Sequence, residues 1–330
     1  MIVRAGPNRV PNRTDPSLSA ARMTHPRARY ALIYINWETP HLVVEAVRSA
    51  RSTVSDPALL RVMIVDNNSG DDSLEVFARE LPDADVVRMP ANLGFAKAAN
   101  AGLERVTEPF AFVLNSDIRF LNNVTELLAE ALVSDPKAVL ASPKLFRPDH
   151  SVQASAIPEP SIAWELINRS VRRYMMKLDN ERVSVVPSVV GACMAVHMER
   201  ARQVGFMDER FFFYFEETDW CKRISSAGWR VLFVPAAHVM HMQGKSAHRR
   251  PVRARVQFYL SRYKYFHKHT GALGVAILFL GLCCKLSLSI PLAMLRALFI
   301  PSPKARERVK SYVVLWCWHM LLCRPRWGFE

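Results

Sequence analysis

Residues 110–117 read FAFVLNSD, an apolar run that ends in three polar residues. The run FAFVL is typical of a buried strand in a parallel sheet, because such strands are covered on both faces and need few polar residues. Open α/β sheets bind ligands beyond the carboxyl ends of their strands. Asn115 and Asp117, which follow the run, are therefore candidate ligand-binding residues.

The same pattern recurs on both sides of this stretch. Helical patterns that begin near Pro40, Asp71, Phe95 and Asn123 alternate with further apolar runs, and this alternation predicts βαβ units with a largely parallel sheet. The further runs are ALIYIN (31–36), RVMIVD (61–66), DVVRM (85–89) and AVLAS (138–142). The composition of residues 147–187, rich in Pro, Ser and Arg, predicts an irregular segment over the site, which we call the excursion. Regular patterns resume at 188–197 and 229–235. We expect an α/β domain.

Polar residues at the ends of the first strands are candidates for donor binding. Asn36 ends the first run and Asp66 ends the second. Asp66 can accept N–H groups from a pyrimidine base, although a role as a turn former is equally consistent with its neighbours. In the following loop Gly94 permits a close backbone approach. Lys97 and Asn100 lie in the first turns of a predicted helix, where anionic groups bind readily.

Asp117 is the candidate metal ligand of the FAFVLNSD stretch. Mg²⁺ and Mn²⁺ prefer oxygen ligands, and a protein often shares them with substrate phosphates. The alternative is an Asx turn that caps the next helix. His238 and His241 follow the predicted strand at 229–235, where an imidazole can complete a metal site or bind phosphate. A histidine with a purely structural role is the competing interpretation.

The sequence FEETDWCKR (215–223) places three acids at the start of a predicted helix. A helix N-terminus stabilises ionised carboxylates, so one of these groups can act as a base near neutral pH. Asp219 and Arg223 are four residues apart and can form an ion pair, which gives Asp219 a structural explanation. Glu217 is therefore the candidate base, and Asp219 remains the alternative.

The positive charge is concentrated outside the predicted α/β domain. The 330 residues carry a formal net charge of +14, and the region from Gly244 onward holds 16 basic and 2 acidic residues. Residues 31–243 hold 22 basic and 27 acidic residues. Because the basic residues accompany apolar segments, the pattern favours an anionic membrane surface and argues against nucleic acid as a partner. The six cysteines show no CxxC spacing, which argues against a zinc module.

These patterns divide the chain into a disordered basic leader (1–29), a catalytic-type domain (30–245) and a basic, apolar helical tail (246–330). The apolar run 271–284 would extend about 21 Å as a helix, less than the roughly 30 Å hydrocarbon core. Lys285, Pro291 and Arg296 interrupt any longer span. Basic residues flank each apolar run, so we expect a helical hairpin or interfacial helices on the cytoplasmic leaflet. A spanning hairpin and buried helices of a soluble domain are the alternatives.

Five ordered motifs resemble inverting glycosyltransferase family 2, particularly its bacterial rhamnosyltransferase-like members. The resemblance covers about residues 30–270 and implies a GT-A fold, which is a Rossmann-like open mixed sheet flanked by helices. It also implies a nucleoside-diphosphate sugar donor and a divalent metal, Mg²⁺ or Mn²⁺. The motifs are VDNNSGDDS (65–73), NLGFAKAANAGL (92–103), LNSD (114–117), the block 205–231 and HVMHMQGKS (238–246).

The resemblance also implies roles for single residues. Asp66 matches the nucleobase-binding acid, Asp117 the metal-binding acid of the DxD-type motif, and His241 the distal histidine that binds metal or diphosphate. The acidic block of the family commonly reads Glu-Asp-x-Asp with the second acid as the base, and Glu217 occupies that position here. This departure leaves Glu217 and Asp219 both open as the base. Ser116 stands where the family frequently has proline.

The resemblance and the tail together predict transfer of a sugar, with rhamnose as a candidate, to a lipid-linked glycan acceptor at the cytoplasmic face of the membrane. Two rival functions were weighed. A sugar-nucleotide nucleotidyltransferase would need a phosphate-binding loop after ALIYIN, and the sequence has none there. A non-catalytic, membrane-anchored glycan- or lipid-binding protein would be consistent with Glu217 and Ser116 as signs of a decayed site, and donor hydrolysis distinguishes it from an enzyme.

Overall fold

The computed structural model describes residues 29–166, 181–242, 251–300 and 302–321, together with positions 323 and 328. Residues 1–28 of the predicted leader, the middle of the 147–187 excursion and the terminal RPRW sequence lie outside the described residues. The elements that follow are taken from the described ranges.

Eleven strands are described, and the predicted runs all form strands. The strands are β1 (Tyr30–Asn36), β2 (Leu60–Asp66), β3 (Asp85–Arg88), β4 (Phe110–Asn115), β5 (Ile118–Phe120), β6 (Ala138–Phe146), β7 (Ala156–Ile157), β8 (Ser184–Val185), β9 (Ser188–Val189), β10 (Cys193–His197) and β11 (Arg230–His241). The helices are α1 (Pro40–Thr53), α2 (Ser73–Glu80), α3 (Phe95–Leu103), α4 (Val124–Ser134), α5 (Ile162–Leu166), α6 (Met198–Val204), α7 (Glu216–Ser226), α8 (Pro251–Phe299) and α9 (Pro303–Met320).

The main sheet has the order β3-β2-β1-β4-β10-β6-β11-β5. Strands β1 to β4 are parallel, as the alternation of strand and helix predicts. Strand β10 is antiparallel to β4 and β6, so the sheet is mixed and the expectation of a largely parallel sheet holds only in part.

Two hydrophobic clusters cover the two faces of the sheet. One cluster contains Leu32 and Tyr34 with residues of α1, α2 and α4. The other contains Ala31 and Ile33 with residues of α3, α6 and α7. Successive residues of β1 therefore point to opposite faces and are buried on both, which explains the continuous apolar runs.

Helix α8 turns back on itself at Gly271, which has φ +71° and ψ −173°. The rings of Tyr263 and Phe279 lie 6.3 Å apart, although sixteen residues of straight helix would separate them by about 24 Å. We call residues 251–270 the first limb and residues 272–299 the second limb. The two limbs form a helical hairpin with its turn at Gly271. The sequence did not predict this turn, and insertion of the apolar runs into a membrane stays a prediction.

The second limb continues through Lys285, Pro291 and Arg296 to Phe299. Within the described residues α8 is the one helix long and apolar enough to cross a membrane by length and composition. Only 22% of its apolar 18-residue stretch is buried. Helix α9 returns along the hairpin, where Trp316 Nε1 donates to Ser287 Oγ at 3.0 Å.

Candidate active site

The ends of β1, β2 and β4 meet at one edge of the sheet. Asn36 is the register partner of Asp66, and Asn115 is the register partner of the residue before Asn36. Asp66 is fully buried, and its Oδ1 accepts hydrogen bonds from Asn36 Nδ2 at 2.8 Å and Ser69 Oγ at 2.6 Å. Its Oδ2 accepts from the Ser69 backbone N–H at 3.1 Å. Asp66 therefore shapes the loop after β2, and its contact with a nucleobase stays a prediction.

A chain of hydrogen bonds joins Asn36 to the tip of β4. Thr39 Oγ1 lies 3.2 Å from Asn36 Oδ1, to which it donates, and 2.8 Å from Ser116 Oγ, from which it accepts. All three side chains are buried. Ser116, which departs from the family pattern, therefore has a defined role in this structure. It fixes the loop that carries Asp117 against the end of β1.

Gly94 lies where the loop before α3 meets another backbone segment. Its φ is +87°, and a Cβ at this position would lie 2.2 Å from the Phe212 carbonyl oxygen. The next residue, Phe95, donates its backbone N–H to that oxygen at 2.7 Å. The close approach predicted at Gly94 is therefore real, and its partner in this structure is the segment that leads to α7. Direct contact with the donor stays a prediction.

Lys97 and Asn100, both on helix α3, differ in burial and in hydrogen bonding. Asn100 is buried, donates to the Met207 carbonyl oxygen at 2.8 Å and accepts from the Met207 N–H at 3.0 Å. A third bond runs from its amide to Glu209 Oε1 at 3.1 Å. Both of its N–H donors are used within the protein, so the structure favours a positioning role over ligand binding. Lys97 is half-buried in the first turn and makes no hydrogen bond or ion pair with the residues that the structure describes.

Asp117 and His241 come together although 124 positions separate them in the sequence. His241 ends β11 opposite Ile118 of β5, and this register brings its Nε2 to 3.3 Å from Asp117 Oδ1. Both side chains are buried. Gln153 Nε2 lies 3.1 Å from His241 Nδ1. This contact orients the ring with Nε2 towards Asp117. For Nε2 to bind a metal, Nδ1 must carry the proton and donate to the Gln153 side-chain oxygen, which requires the opposite orientation of that amide.

The pair has the chemistry that a divalent cation needs. His241 Nε2 is buried and has no hydrogen-bond partner among the described residues. Two bonds of about 2.1 Å at right angles end about 3 Å apart, close to the observed 3.3 Å. Within the described ranges no group of three or more His, Cys, Asp or Glu side chains forms a complete metal site. The residues therefore fit a cation that shares its remaining ligands with a phosphate and water.

Glu217 lies in the first turn of α7 with a polar atom that has no protein partner. Its Oε2 is buried and accepts no hydrogen bond from the residues that the structure describes. Burial raises the pKa of Glu217 to about 7, although hydrogen bonds from the backbone, including Gly191, oppose the shift. Burial and the charge of Glu217 raise the pKa of Glu216 well above its ordinary value. Glu217 is thus a carboxyl group that titrates near neutral pH, as a general base must.

The segment Gly191–Ala192 runs between the surroundings of Glu217 and the tip of β4 that leads to Asp117. A Cβ at Gly191 would lie 3.4 Å from Glu217 Cβ. The Ala192 carbonyl oxygen accepts from the Asn115 backbone N–H at 3.0 Å. The chain before β10 therefore runs between the base candidate and the tip of β4. Asn115 itself is half-buried there.

Asp219 occupies a different environment from Glu217. It is fully buried and accepts from Arg223 Nε at 3.0 Å, Lys268 Nζ at 2.7 Å and His269 Nε2 at 2.8 Å. Three cationic or ionisable donors surround its carboxylate, and two of them come from α8. These contacts occupy both carboxylate oxygens of Asp219, so the geometry favours Glu217 over Asp219 as the base.

Several residues that build the site gave no signal in the sequence analysis. Gln153 lies in the excursion, and Lys268 and His269 lie in the segment assigned to the tail. Each contacts a candidate residue that is at least 49 positions away. Long-range contacts of this kind have no local pattern, so periodicity and spacing do not reveal them.

Comparison with known proteins gives a consistent result. The profile of glycosyl transferase family 2 matches residues 33–205, just over half of the chain. The N-acetylglucosaminyl-diphospho-decaprenol L-rhamnosyltransferase of Mycobacterium tuberculosis (strain H37Rv) is 27% identical over 233 residues, which is 64% of this chain and 76% of that protein. The pre-mycofactocin glycosyltransferase of the same strain is 30% identical over 190 residues, which is 55% of this chain and 37% of that protein.

Solved structures share the fold. The mannosyltransferase PcManGT of Pyrobaculum calidifontis, solved with GDP-Man and Mn²⁺, aligns with a TM-score of 0.57 at 14% identity over 92% of this chain and 88% of that one. GalNAc-T7, solved with UDP, GalNAc and Mn²⁺, aligns with a TM-score of 0.52 at 15% identity over 66% of this chain and 44% of that one. The likeness confirms the predicted GT-A architecture.

Proposed function

The chain belongs to glycosyl transferase family 2, and on this premise we propose that it inverts the anomeric centre of a sugar while moving it from a nucleoside-diphosphate donor to a lipid-linked glycan acceptor. The observation that carries the proposal is the buried pair of Asp117 and His241, 3.3 Å apart. Glu217 lies beside Gly191, and the next residue, Ala192, accepts a hydrogen bond from the Asn115 backbone N–H at the tip of β4. Transfer with inversion needs a leaving-group site and a base, and these residues provide both.

Glu217 would remove the proton of the acceptor hydroxyl as that oxygen attacks the anomeric carbon. The carbon–oxygen bond to the diphosphate breaks in the same displacement, and the nucleoside diphosphate leaves with the bonding electrons. No covalent enzyme intermediate is needed. With its pKa raised to about 7, roughly half of Glu217 is ionised at neutral pH, and the ionised form accepts a proton readily.

Asp117 and His241 would hold Mg²⁺ or Mn²⁺ at the diphosphate. When bound, the cation stabilises negative charge on the departing phosphate oxygens. Gln153 keeps the His241 ring in its orientation, and Ser116 holds the Asp117 loop against β1. Lys97, in the first turn of α3, is the side chain that we propose for the remaining phosphate charge. Asp66 and Asn36 would support the nucleoside end of the donor.

We place the acceptor at the membrane. The second limb exposes a continuous set of large apolar side chains, and these are the residues that a lipid surface would cover. Leu273, Leu280, Leu288 and Leu292 are 74%, 63%, 69% and 67% exposed. A relative named for a decaprenol-linked substrate supports a polyprenyl-type acceptor, and it also supports rhamnose as the first sugar to test.

The first limb restricts how deeply the hairpin can enter the membrane. Residues 256 and 260 of the first limb and residue 286 of the second limb belong to one hydrophobic cluster, so the limbs lie side by side. Residues 256 and 286 are equally far from the turn at Gly271, so only residues from about 292 to 299 extend past the start of the first limb at residue 251, roughly 12 Å of helix. This reach is less than the roughly 30 Å hydrocarbon core. We therefore propose shallow insertion on the cytoplasmic face.

A panel of nucleotide sugars offered to the purified full-length chain tests the function. We expect one donor to be turned over with Mn²⁺ or Mg²⁺, and the product to carry the inverted anomeric configuration. The acceptor arm uses a short polyprenyl-diphosphate glycan in mixed micelles. Absence of both hydrolysis and transfer with every donor would contradict the enzyme assignment of this site and favour a glycan- or lipid-binding protein.

A further inference from the structure

The first limb of α8 contacts the segment that leads into the catalytic-type helix α7. Ser261 Oγ donates to the Phe213 carbonyl oxygen at 2.7 Å, and Lys264 Nζ donates to the Arg210 carbonyl oxygen at 2.9 Å. The spacing of these residues places them on one face of the helix. We call residues 258–269 the buttress, because they support residues 208–219.

The strongest contacts of the buttress are electrostatic. Lys268 Nζ lies 2.7 Å from Asp208 Oδ2 and 2.7 Å from Asp219 Oδ1, so one ammonium joins two carboxylates. His269 Nε2 lies 2.8 Å from Asp219 Oδ1. Asp219 is fully buried and only two residues from Glu217. Loss of these partners would leave a buried carboxylate unpaired, which would strongly destabilise the folded protein.

The buttress also holds a strained turn. Tyr214 and Phe215 have φ values of +70° and +69°, a region that side chains other than glycine rarely adopt. Both rings pack against Phe258, with centroids 5.4 and 5.3 Å away, and Phe215 packs against Tyr265 at 5.4 Å. Strained backbone of this kind persists only where neighbouring structure holds it. The strained residues directly precede Glu216 and Glu217, so the turn sets the direction of the first turn of α7.

We infer that the buttress is part of the active-site framework and that Lys268 and His269 are positioning residues that orient Glu217 through Asp219. This inference rests on the proposed function in assigning Glu217 as the base. It places the functional boundary of the catalytic domain near Gly271, whereas the sequence analysis placed it at residue 246. The segment predicted to be a membrane tail thus has two parts with different tasks.

Kinetics of the full-length chain test the inference. For Lys268→Met we expect kcat to fall at least tenfold, while KM for the donor stays within twofold, because Lys268 pairs with Asp208 and Asp219 rather than with a donor-site candidate. The conservative Lys268→Arg variant should recover most of the loss. Arg255→Met removes an exposed charge of the same limb and should leave kcat unchanged. An unchanged kcat for Lys268→Met would overturn the inference.

A second pair of variants distinguishes a loss of positioning from general misfolding. His269→Leu removes a contact to Asp219, and His267→Leu changes an exposed histidine two positions away. Only the former should lower kcat. In the Asp219→Asn background, Lys268→Met should cause little further loss, because both changes break the same contact. Fully additive losses would show that Lys268 does not act through Asp219.

Hydrogen exchange measured on the same proteins separates this inference from the proposed function. We expect Lys268→Met to speed amide exchange in residues 211–219, with no change in β1 and β2. Unchanged exchange in residues 211–219 would overturn the buttress, whatever the activity. If the wild-type chain turns over no donor, the proposed function fails, while the exchange measurement still decides whether the buttress orders the start of α7.

Discussion

At the scale of single residues, two neighbouring acids with similar sequence signals have opposite environments. Glu217 has a buried oxygen without a protein partner, whereas Asp219 accepts from Arg223, Lys268 and His269. Burial without compensating charge raises a carboxyl pKa, and cationic partners stabilise the ionised form. Burial therefore raises the pKa of Glu217 to about 7, whereas basic side chains contact both carboxylate oxygens of Asp219.

Glu217→Gln should lower transfer roughly 10² to 10⁴-fold, because it removes the base and nearly preserves volume. In the wild-type enzyme kcat should rise with pH through about 7, since only ionised Glu217 accepts the proton. The measurement is a pH profile of transfer with saturating donor. Asp219→Asn should keep that midpoint while lowering kcat and thermal stability, because it removes a positioning contact and leaves the base in place. A profile that shifts in Asp219→Asn but survives in Glu217→Gln would identify Asp219 as the base.

If Asp117 and His241 hold the metal as we propose, its removal should abolish donor turnover. The departing diphosphate would then lack a compensating positive charge. We expect EDTA to stop the reaction and Mn²⁺ or Mg²⁺ to restore it. Asp117→Ala should retain less than about a tenth of the rate, a loss above roughly 1.4 kcal/mol. Asp83→Ala, which removes an exposed acid paired with Arg51, serves as the control and should keep full activity. Activity that survives exhaustive chelation would contradict the metal assignment.

At the scale of elements, prediction from the sequence succeeded where the signal is local. The apolar runs gave β1 to β4 and β6 within one or two residues, except that β6 continues to Phe146, and the helix starts at Pro40 and Phe95 are as predicted. The antiparallel direction of β10 was not predicted, because it depends on the path of the chain between β6 and β10. The turn at Gly271 was also missed. A single glycine inside an apolar, helix-forming run gives no clear sign that the helix reverses there.

Gly94 offers a prediction at this scale. Gly94→Ala should destabilise the protein by several kcal/mol, because positive φ costs about 1–2 kcal/mol and the new Cβ would overlap the Phe212 carbonyl. Gly228→Ala is the matched control, since Gly228 has φ +80° with nothing within 4 Å of the added Cβ. For Gly228→Ala only the free-energy cost of the positive φ should remain. The free energy of unfolding from urea titration gives the comparison, and equal losses would show that the contact with residue 212 is unimportant.

At the scale of the whole molecule, the described chain joins a catalytic domain to a hairpin whose two limbs face different surroundings. The first limb contributes the buried pair of Arg262 and Glu165 and the contacts to Asp219, so it is bound to the domain. The second limb leaves large leucines exposed. Because the limbs pack against each other, attachment to a lipid surface would place the strand-tip edge at a fixed distance from that surface. This geometry is suited to an acceptor that is itself held in the membrane.

The exposed face of the second limb gives the test of this arrangement. Replacing Leu288, Leu292 and Leu295 with serine should greatly reduce binding to anionic vesicles, because each leucine contributes about 1.5–3 kcal/mol when it leaves water. These residues are 69%, 67% and 54% exposed, so the fold should tolerate the change. Val133→Ser is the control, since Val133 is 62% exposed on α4, away from the hairpin. Flotation of the full-length proteins with vesicles measures binding, and turnover with a short water-soluble acceptor should stay near the wild-type value. Loss of both binding and soluble-acceptor turnover would show that the second limb supports the catalytic domain directly, whereas unchanged binding would place the membrane contact elsewhere on the chain.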